Sequence, residues 1–294
     1  MRHMDAFGGA DLHCHSTFSD GVESPTALVA RALDAKLSVL ALSDHDALHG
    51  LPEFEAASKG TGLVPVSATE LSTRCEGEDV HLLGLFVDTE DQVFQARLAA
   101  FREDRDRRGE EMVHRLRDQG MPLDLEEIRA VVGDGAFGRP HIARAMMAKG
   151  YVASFDEAFD KWLTKGKPGC VPKAKWSLPD AIAAVRAAGG VSVIAHPIWY
   201  ENAEKVVSIG KENGLDGLEV IHIDQEGAAE SAFGKMAERF GLLRSAGSDY
   251  HGPPEGKKRV GACRLEKKAW DALVARAETR RKEAGRPAVD LSPR

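Results

Sequence analysis

Residues 8–16, GGADLHCHS, and residues 38–46, SVLALSDHD, decide how this chain folds. Each run is short and apolar and then breaks into histidine and aspartate, as a buried strand does where its end opens onto a polar rim. His13 and His15 are two apart, so on a strand they share a face, and Cys14 between them points the other way into a core. Between the two runs, Ser24 and Pro25 open the stretch SPTALVARALDAKL with a cap and a first-turn proline in the order a helix start requires. A second helix is predicted around residues 50–59. Strand, helix and strand in this order predict a parallel α/β fold.

The same texture continues outward in GLVPVSATE (62–70) and VHLLGLFVD (80–88), and returns downstream in GGVSVIAHP (189–197), LDGLEVIHI (215–223) and LLRSAGSDYHG (242–252). The middle of the chain reads differently. Residues 91–119 predict one long charged helix, and three shorter helices follow. Ser154 with Glu157 predicts a capping box and Gly166 a stop, while Ser177 with Asp180 opens a helix that Gly189 and Gly190 end. The expected organisation is an α/β barrel of residues 8–90 and 181–275, a helical insert of residues 91–180, and a flexible tail of residues 276–294.

The 294 residues suffice for one large α/β domain with such an insert, and 43% hydrophobic with 29% charged residues is an ordinary folded composition. No stretch has the length of apolar sequence that a membrane span needs, and MRHMDAFGGADLHCH lacks the apolar core of a signal peptide, so a cytoplasmic protein is expected. Four cysteines without CxxC pairing suit a reducing compartment and argue against a disulfide frame or a zinc finger. A net charge of −7 is poor for gripping long duplex nucleic acid. It leaves small phosphorylated substrates open, because bound divalent ions reverse the local field.

Metal-binding side chains recur at the ends of the predicted strands. Asp20 lies just beyond the first, Asp44-His45-Asp46 ends the second, Glu70 the third, His196 a later one, and Asp249 with His251 the last. If these strands are parallel in a barrel, their C-terminal ends gather on one rim, where active sites form. His81 begins its apolar run instead of ending it, and a crossing or antiparallel strand there would bring it to the rim. A lone histidine near a strand end is more often a hydrogen-bonded residue than a ligand, but six histidines with Asp20, Glu70 and Asp249 exceed what one four-coordinate ion uses. Two or three divalent ions bridged by carboxylates are expected, and mixed nitrogen and oxygen donors suit zinc, manganese or iron.

HCHSTFSDG (13–21), SDHD (43–46), the following Glu70, HLLG (81–84), AHP (195–197) and SDYHG (248–252) together resemble the PHP (polymerase and histidinol phosphatase) family, from Asp11 to about Gly261. The resemblance implies a distorted (β/α)7 barrel with a trinuclear metal site. It implies His13, His15, Glu70 and Asp249 on a first ion, Asp20, His45 and His251 on a second, and Glu70 as a bridge with His81 and His196 on a third. FGRPHIARAM (137–146) and LTKGKPGCVP (163–172) resemble a branch that removes the 3′-phosphate of nucleoside 3′,5′-bisphosphates or trims short oligonucleotides from the 5′ end. A small nucleotide or short oligonucleotide, with no long duplex and no membrane, is then the expected partner.

Arg139, Pro140 and His141 stand at a predicted helix start, where N–H groups favour anions and Arg139 can add a bidentate grip on phosphate; the plainer alternative is a cap with a packed histidine. Lys167, beside Lys165, Lys173 and Lys175, is a further substrate-binding candidate, although a lysine-rich loop is usually just solvated. The implied reaction is attack on phosphorus by a water shared between two ions, which lower its pKa. Asp44, Asp46 and His222 are the candidates to protonate the leaving oxygen. His49 and His114 read as capping and surface residues, and the arginines of 102–108 as a solvated helix face. The rival readings are a histidinol-phosphate-type phosphatase of the same family, an amidohydrolase, which would need a bridging lysine or its equivalent, and a non-catalytic module stabilised by metal.

Overall fold

Seven short apolar strands and the helices between them form a barrel in the computed structural model, which describes residues 7–132, 137–171, 176–253 and 259–291. Strands β1 (Ala10–Asp11), β2 (Val39–Leu42) and β3 (Val64–Cys75) pair in parallel, with helices α1 (Pro25–Asp34) and α2 (Leu51–Ser58) as crossovers. Ser24 caps α1 by accepting from the Ala27 N–H, with Pro25 in the first turn. Strand β4 (Glu78–Leu85) is antiparallel to both of its neighbours, β3 and β6 (Val191–Ile194). Parallel pairing resumes through β7 (Gly217–His222) and β8 (Leu243–Gly247), with helices α7 (Leu178–Ala187), α8 (Ala203–Glu212) and α9 (Ala228–Phe240) around them. Bonds from the Leu12 N–H to the Ala246 carbonyl (3.0 Å) and from the Asp249 N–H to the His13 carbonyl (2.9 Å) join the first strand to the last. The sheet is therefore nearly closed, and the distorted (β/α)7 barrel is the observed architecture.

One expectation about the strands is met, an antiparallel strand at His81, and one changes. The barrel is mixed, and the antiparallel β4 brings His81 level with its neighbours, pairing it with Ser72 of β3. Glu70 does not end its strand: β3 continues five residues to Cys75 and folds back at Glu76-Gly77. Glu76 (φ 50°) and Gly77 (φ 87°) both take positive φ, as a two-residue hairpin turn matched to strand twist requires.

The middle of the chain is helical. Helix α3 (Gln92–Asp118) is followed by α4 (Leu125–Val132), α5 (Arg139–Ala148) and α6 (Phe155–Ala158), which runs into one π-helical turn, Phe159–Leu163. Ser154 accepts from the Glu157 N–H as expected, but the Glu157 carboxylate accepts from Ala153 instead of returning to Ser154. Phe94 and Leu98, early in α3, pack with Leu82, Trp176 and Val185 of the barrel. Later residues Met112, Val113 and Leu116 join Ile128, Phe137, Ile142 and Leu163 in a core of their own. Chain of barrel character resumes at β5 (Trp176–Ser177), which pairs with β3 a few residues before the expected boundary. Arg107 of the 102–108 stretch is solvated, but Arg108 is buried, so that helix face is not wholly a solvent face.

The tail departs from expectation. Helix α10 (Lys267–Glu283) runs well past residue 276, with Arg280 and Arg281 buried. Arg280 reaches the buried Asp216 carboxylate at 2.6 Å, and Val289 and Leu291 pack against the barrel core. Burial paired with a carboxylate 64 positions earlier offsets the desolvation that would expel an arginine. No helix among the described residues is long and apolar enough to cross a membrane, and all four cysteines are free thiols.

Candidate metal centre

The rim is built by short loops that leave the strands at fixed points. Two bonds, from the Glu70 N–H to the Ser43 carbonyl and from the Asp46 N–H to the Glu70 carbonyl, lock the SDHD turn to β3 and set His45 beside Glu70. Asp46 takes φ 51° and accepts from the N–H and hydroxyl of Ser72. Asp44 accepts from the Ser16 N–H (2.7 Å), the Ser16 hydroxyl (2.7 Å) and the Ser19 hydroxyl (2.6 Å), tying the loop after β1 to β2. Both aspartates considered as proton donors thus hold the loops that carry His15, Asp20 and His45. His196 and Asp249 also sit at positive φ, 27° and 48°, which the bulk of their surroundings must enforce.

All nine expected donors come together, seven of them buried and His81 and His251 partly exposed. His13 Nε2 lies 3.1 Å from His15 Nε2, 3.3 Å from Glu70 Oε2 and 3.4 Å from Asp249 Oδ1, and His15 Nε2 lies 3.2 and 3.3 Å from the same two oxygens. Donors that share one tetrahedral ion at about 2.0–2.1 Å stand roughly 3.3–3.4 Å apart, so these four atoms fit one ion. Asp20 lies 3.2 Å from His251 Nε2 and 3.7 Å from His45 Nε2, and these three gather with His15 in a second group. The third group is Glu70, His81 and His45. His196 stands outside it but meets the same Glu70 oxygen, Oε1, at 3.0 Å, as His81 Nδ1 does at 2.8 Å.

His81 Nδ1 approaches Glu70 this closely yet makes no hydrogen bond to it. That is the disposition of atoms set to share a cation, and imidazole with carboxylate suits zinc, manganese or iron. Electrostatics agree. Burial alone would raise the Glu70 carboxyl, but His45, His81 and His13 hold it well below its usual value. Burial alone would depress His15, yet Asp249 and Glu70 lift it to about 10; His45, where burial prevails, falls to about 3.

The remaining candidates are placed more loosely. Arg139 begins α5 half-buried, its guanidinium 5.6 Å from the Phe159 ring centre. His141 is buried and its Nδ1 accepts from the Gly138 N–H at 3.1 Å, so it closes the start of the helix. Lys167 is exposed; Lys173 and Lys175 lie outside the described residues. His222 is buried, its Nδ1 accepts from the Asp224 N–H (3.2 Å), and its Nε2 faces Asp249 Oδ2 at 3.6 Å.

Two residues of the site went unread in the sequence. Glu219 of β7 is fully buried; its Oε1 lies 3.1 Å from His13 Nδ1, and its Oε2 accepts from the His196 N–H at 2.7 Å. A carboxylate inside the apolar run LDGLEVIHI was the available signal, since such burial is costly without partners. Arg144 of α5 donates to the Asp20 carbonyl at 3.3 Å and joins the helical segment to the rim; no local pattern distinguished it from its neighbours.

Comparison with known proteins agrees with this geometry. The model of the PHP domain matches residues 11–163. A 5′-3′ exoribonuclease of Haemophilus influenzae is 38% identical, over 83% of this chain and 90% of that protein. A 3′,5′-nucleoside bisphosphate phosphatase of Chromobacterium violaceum is 35% identical, over 85% of this chain and 90% of that protein. A solved structure from Bifidobacterium adolescentis, described as that of a metal-dependent phosphoesterase, superposes with a TM-score of 0.82 at 32% identity, covering 91% of this chain and 96% of the other. With the barrel, the clustered histidines and carboxylates, and similarity along most of its length, the chain belongs to the PHP domain family.

Proposed function

We propose that this chain is a metal-dependent phosphoric ester hydrolase of nucleotides, acting on the 3′-phosphate of nucleoside 3′,5′-bisphosphates, on the 5′ ends of short oligonucleotides, or on both. The observation that carries this reading is the convergence of His13, His15, Glu70 and Asp249, with the two histidine Nε2 atoms 3.1 Å apart and each 3.2–3.4 Å from the two carboxylates, beside two further donor groups. The names of the two curated relatives support the nucleotide substrate.

The nine residues His13, His15, Asp20, His45, Glu70, His81, His196, Asp249 and His251 hold two to three divalent ions, manganese, zinc or iron, in this proposal. Bound there, the ions supply Lewis acidity, a lowered pKa for water and neutralisation of the phosphoryl charge. Arg139 at the start of α5 grips a substrate phosphate, and the helical segment 91–180 covers that side of the pocket. His222 is the preferred proton donor to the leaving oxygen: because its Nδ1 accepts from Asp224, its proton sits on Nε2, toward Asp249. Asp44 and Asp46 spend their oxygens on Ser16, Ser19 and Ser72 and act by holding the rim loops. Free cysteines throughout suit work in the cytoplasm.

The experiment is phosphate release from adenosine 3′,5′-bisphosphate by manganese-loaded protein against a chelated control, with the nucleoside monophosphate product identified. Metal-dependent release giving the 5′-monophosphate supports the proposal. Cleavage of p-nitrophenyl phosphate without action on the bisphosphate would keep the esterase and discard the substrate.

A further inference from the structure

One exposed aromatic at the rim is used by nothing described so far. Trp199 lies in the 3-10 turn Pro197–Trp199 that follows His196, and half of its surface (50%) is open to solvent. Its ring centre is 3.9 Å from that of His196, at an interplanar angle of 33°, and its edge meets the His222 ring at 5.5 Å and 87°. The indole therefore touches both a metal-ligand candidate and the preferred proton donor while presenting apolar surface outward.

Its position is fixed from both sides. The Tyr200 hydroxyl donates to the Ala195 carbonyl (2.8 Å) and accepts from the His81 N–H (3.0 Å). The Ile198 N–H donates to the Oε1 of Gln225, whose amide is itself buried and donates to the Glu219 and Val220 carbonyls. His196, directly before the turn, takes positive φ and donates its N–H to the Glu219 carboxylate. The braced turn lays the indole against His196 and leaves half of its surface open beside the candidate metal centre. Aromatic side chains held this way are platforms for flat π-systems, and stacking tolerates any base because every base has a π-face.

We propose that Trp199 is the stacking platform for the nucleobase of the substrate, and so the residue that selects nucleotides over phosphate esters without a base. This rests on the phosphoesterase reading above and names the part of the substrate that it left unassigned. A platform that only stacks discriminates weakly among bases, so purine should exceed pyrimidine modestly, in the order of stacking strength.

The test compares kcat/KM for adenosine 3′,5′-bisphosphate with that for the abasic ribose 3,5-bisphosphate, in the parent protein, Trp199→Ala and Trp199→Phe, with metal content measured for each. The ratio of the two values should fall on the order of tenfold in Trp199→Ala and by much less in Trp199→Phe. A ratio unmoved in Trp199→Ala, with both substrates slowed together, would overturn the proposal and leave Trp199 as a cover for His196. Binding is read without turnover by fluorescence: adenosine 3′,5′-bisphosphate should quench tryptophan emission, the abasic compound should not, and the quench should vanish in Trp199→Phe. Equal quenching in Trp199→Phe would also overturn it. Absence of hydrolysis in the parent protein would instead count against the phosphoesterase reading, while the fluorescence result would still decide the base platform.

Discussion

Replacing Glu219 by glutamine changes one atom of a buried carboxylate and should cripple the metal centre. Glu219 accepts from the His196 N–H at 2.7 Å with Oε2, and its Oε1 faces His13 Nδ1 at 3.1 Å. When His13 Nε2 is turned toward a metal, its Nδ1 carries the proton, so both partners are donors and both need an oxygen. Glutamine has only one. If its oxygen stays with His196, its NH2 faces a donor on His13, leaving a buried pair unsatisfied or forcing the imidazole into the tautomer that protonates Nε2 and cannot bind metal. Losing one buried hydrogen bond to a charged group costs about 1.5–3 kcal/mol, roughly a 10- to 150-fold effect. Outer partners of metal-bound histidines typically cost about 10–100-fold in affinity or activity when removed. The assay is competitive metal titration with a chromophoric chelator, together with kcat/KM and a thermal melt to show that the variant folds. Unchanged metal affinity and activity in a folded Glu219→Gln protein would refute the claim that Glu219 sets the His13 tautomer.

Three further outcomes follow from other parts of the site. A methyl group at Gly247 would stand 2.1 Å from His13 Cβ and 2.6 Å from Glu219 Oε1, so Gly247→Ala should lower activity at least tenfold and stability by about 1–3 kcal/mol, read by turnover and denaturant melts. Arg139→Ala should weaken kcat/KM for bisphosphates on the order of tenfold with metal content intact, since a charge-assisted phosphate contact is lost; depleted metal would show that Arg139 is misassigned. Because His15 keeps its proton to about pH 10 in the metal-free cluster, ion binding at pH 7–8 must displace it. Metal uptake should therefore acidify a weakly buffered solution, and tighten as pH rises; uptake without proton release would contradict the proposed role of His15.

Much of this site was legible because its donors sit in short motifs whose spacing is set by strand geometry. His13 and His15 share a face by the two-residue period, and the SDHD turn follows an apolar run that could only be a buried strand. What stayed hidden depends on contacts across the chain. The length of β3 past Glu70 is decided by the hairpin at Glu76-Gly77 and pairing with β4, and the Glu-Gly pair is a weak turn signal on its own. The order of the chain past residue 276 is hidden because the arginines at the end of the last helix look solvated until Asp216, far away in sequence, receives Arg280. The same holds for Arg144, whose partner is a backbone carbonyl 124 residues away.

The central claim, that the buried histidines and carboxylates form a metal centre that hydrolyses phosphate esters, is tested most directly by returning metal to chelated protein. Phosphate release from adenosine 3′,5′-bisphosphate would be measured against bound ions per chain, with Glu70→Gln alongside. The account predicts no release without metal, full release at two to three ions per chain, and loss of both metal and activity in Glu70→Gln. Release by the metal-free protein, or full activity in Glu70→Gln, would contradict it.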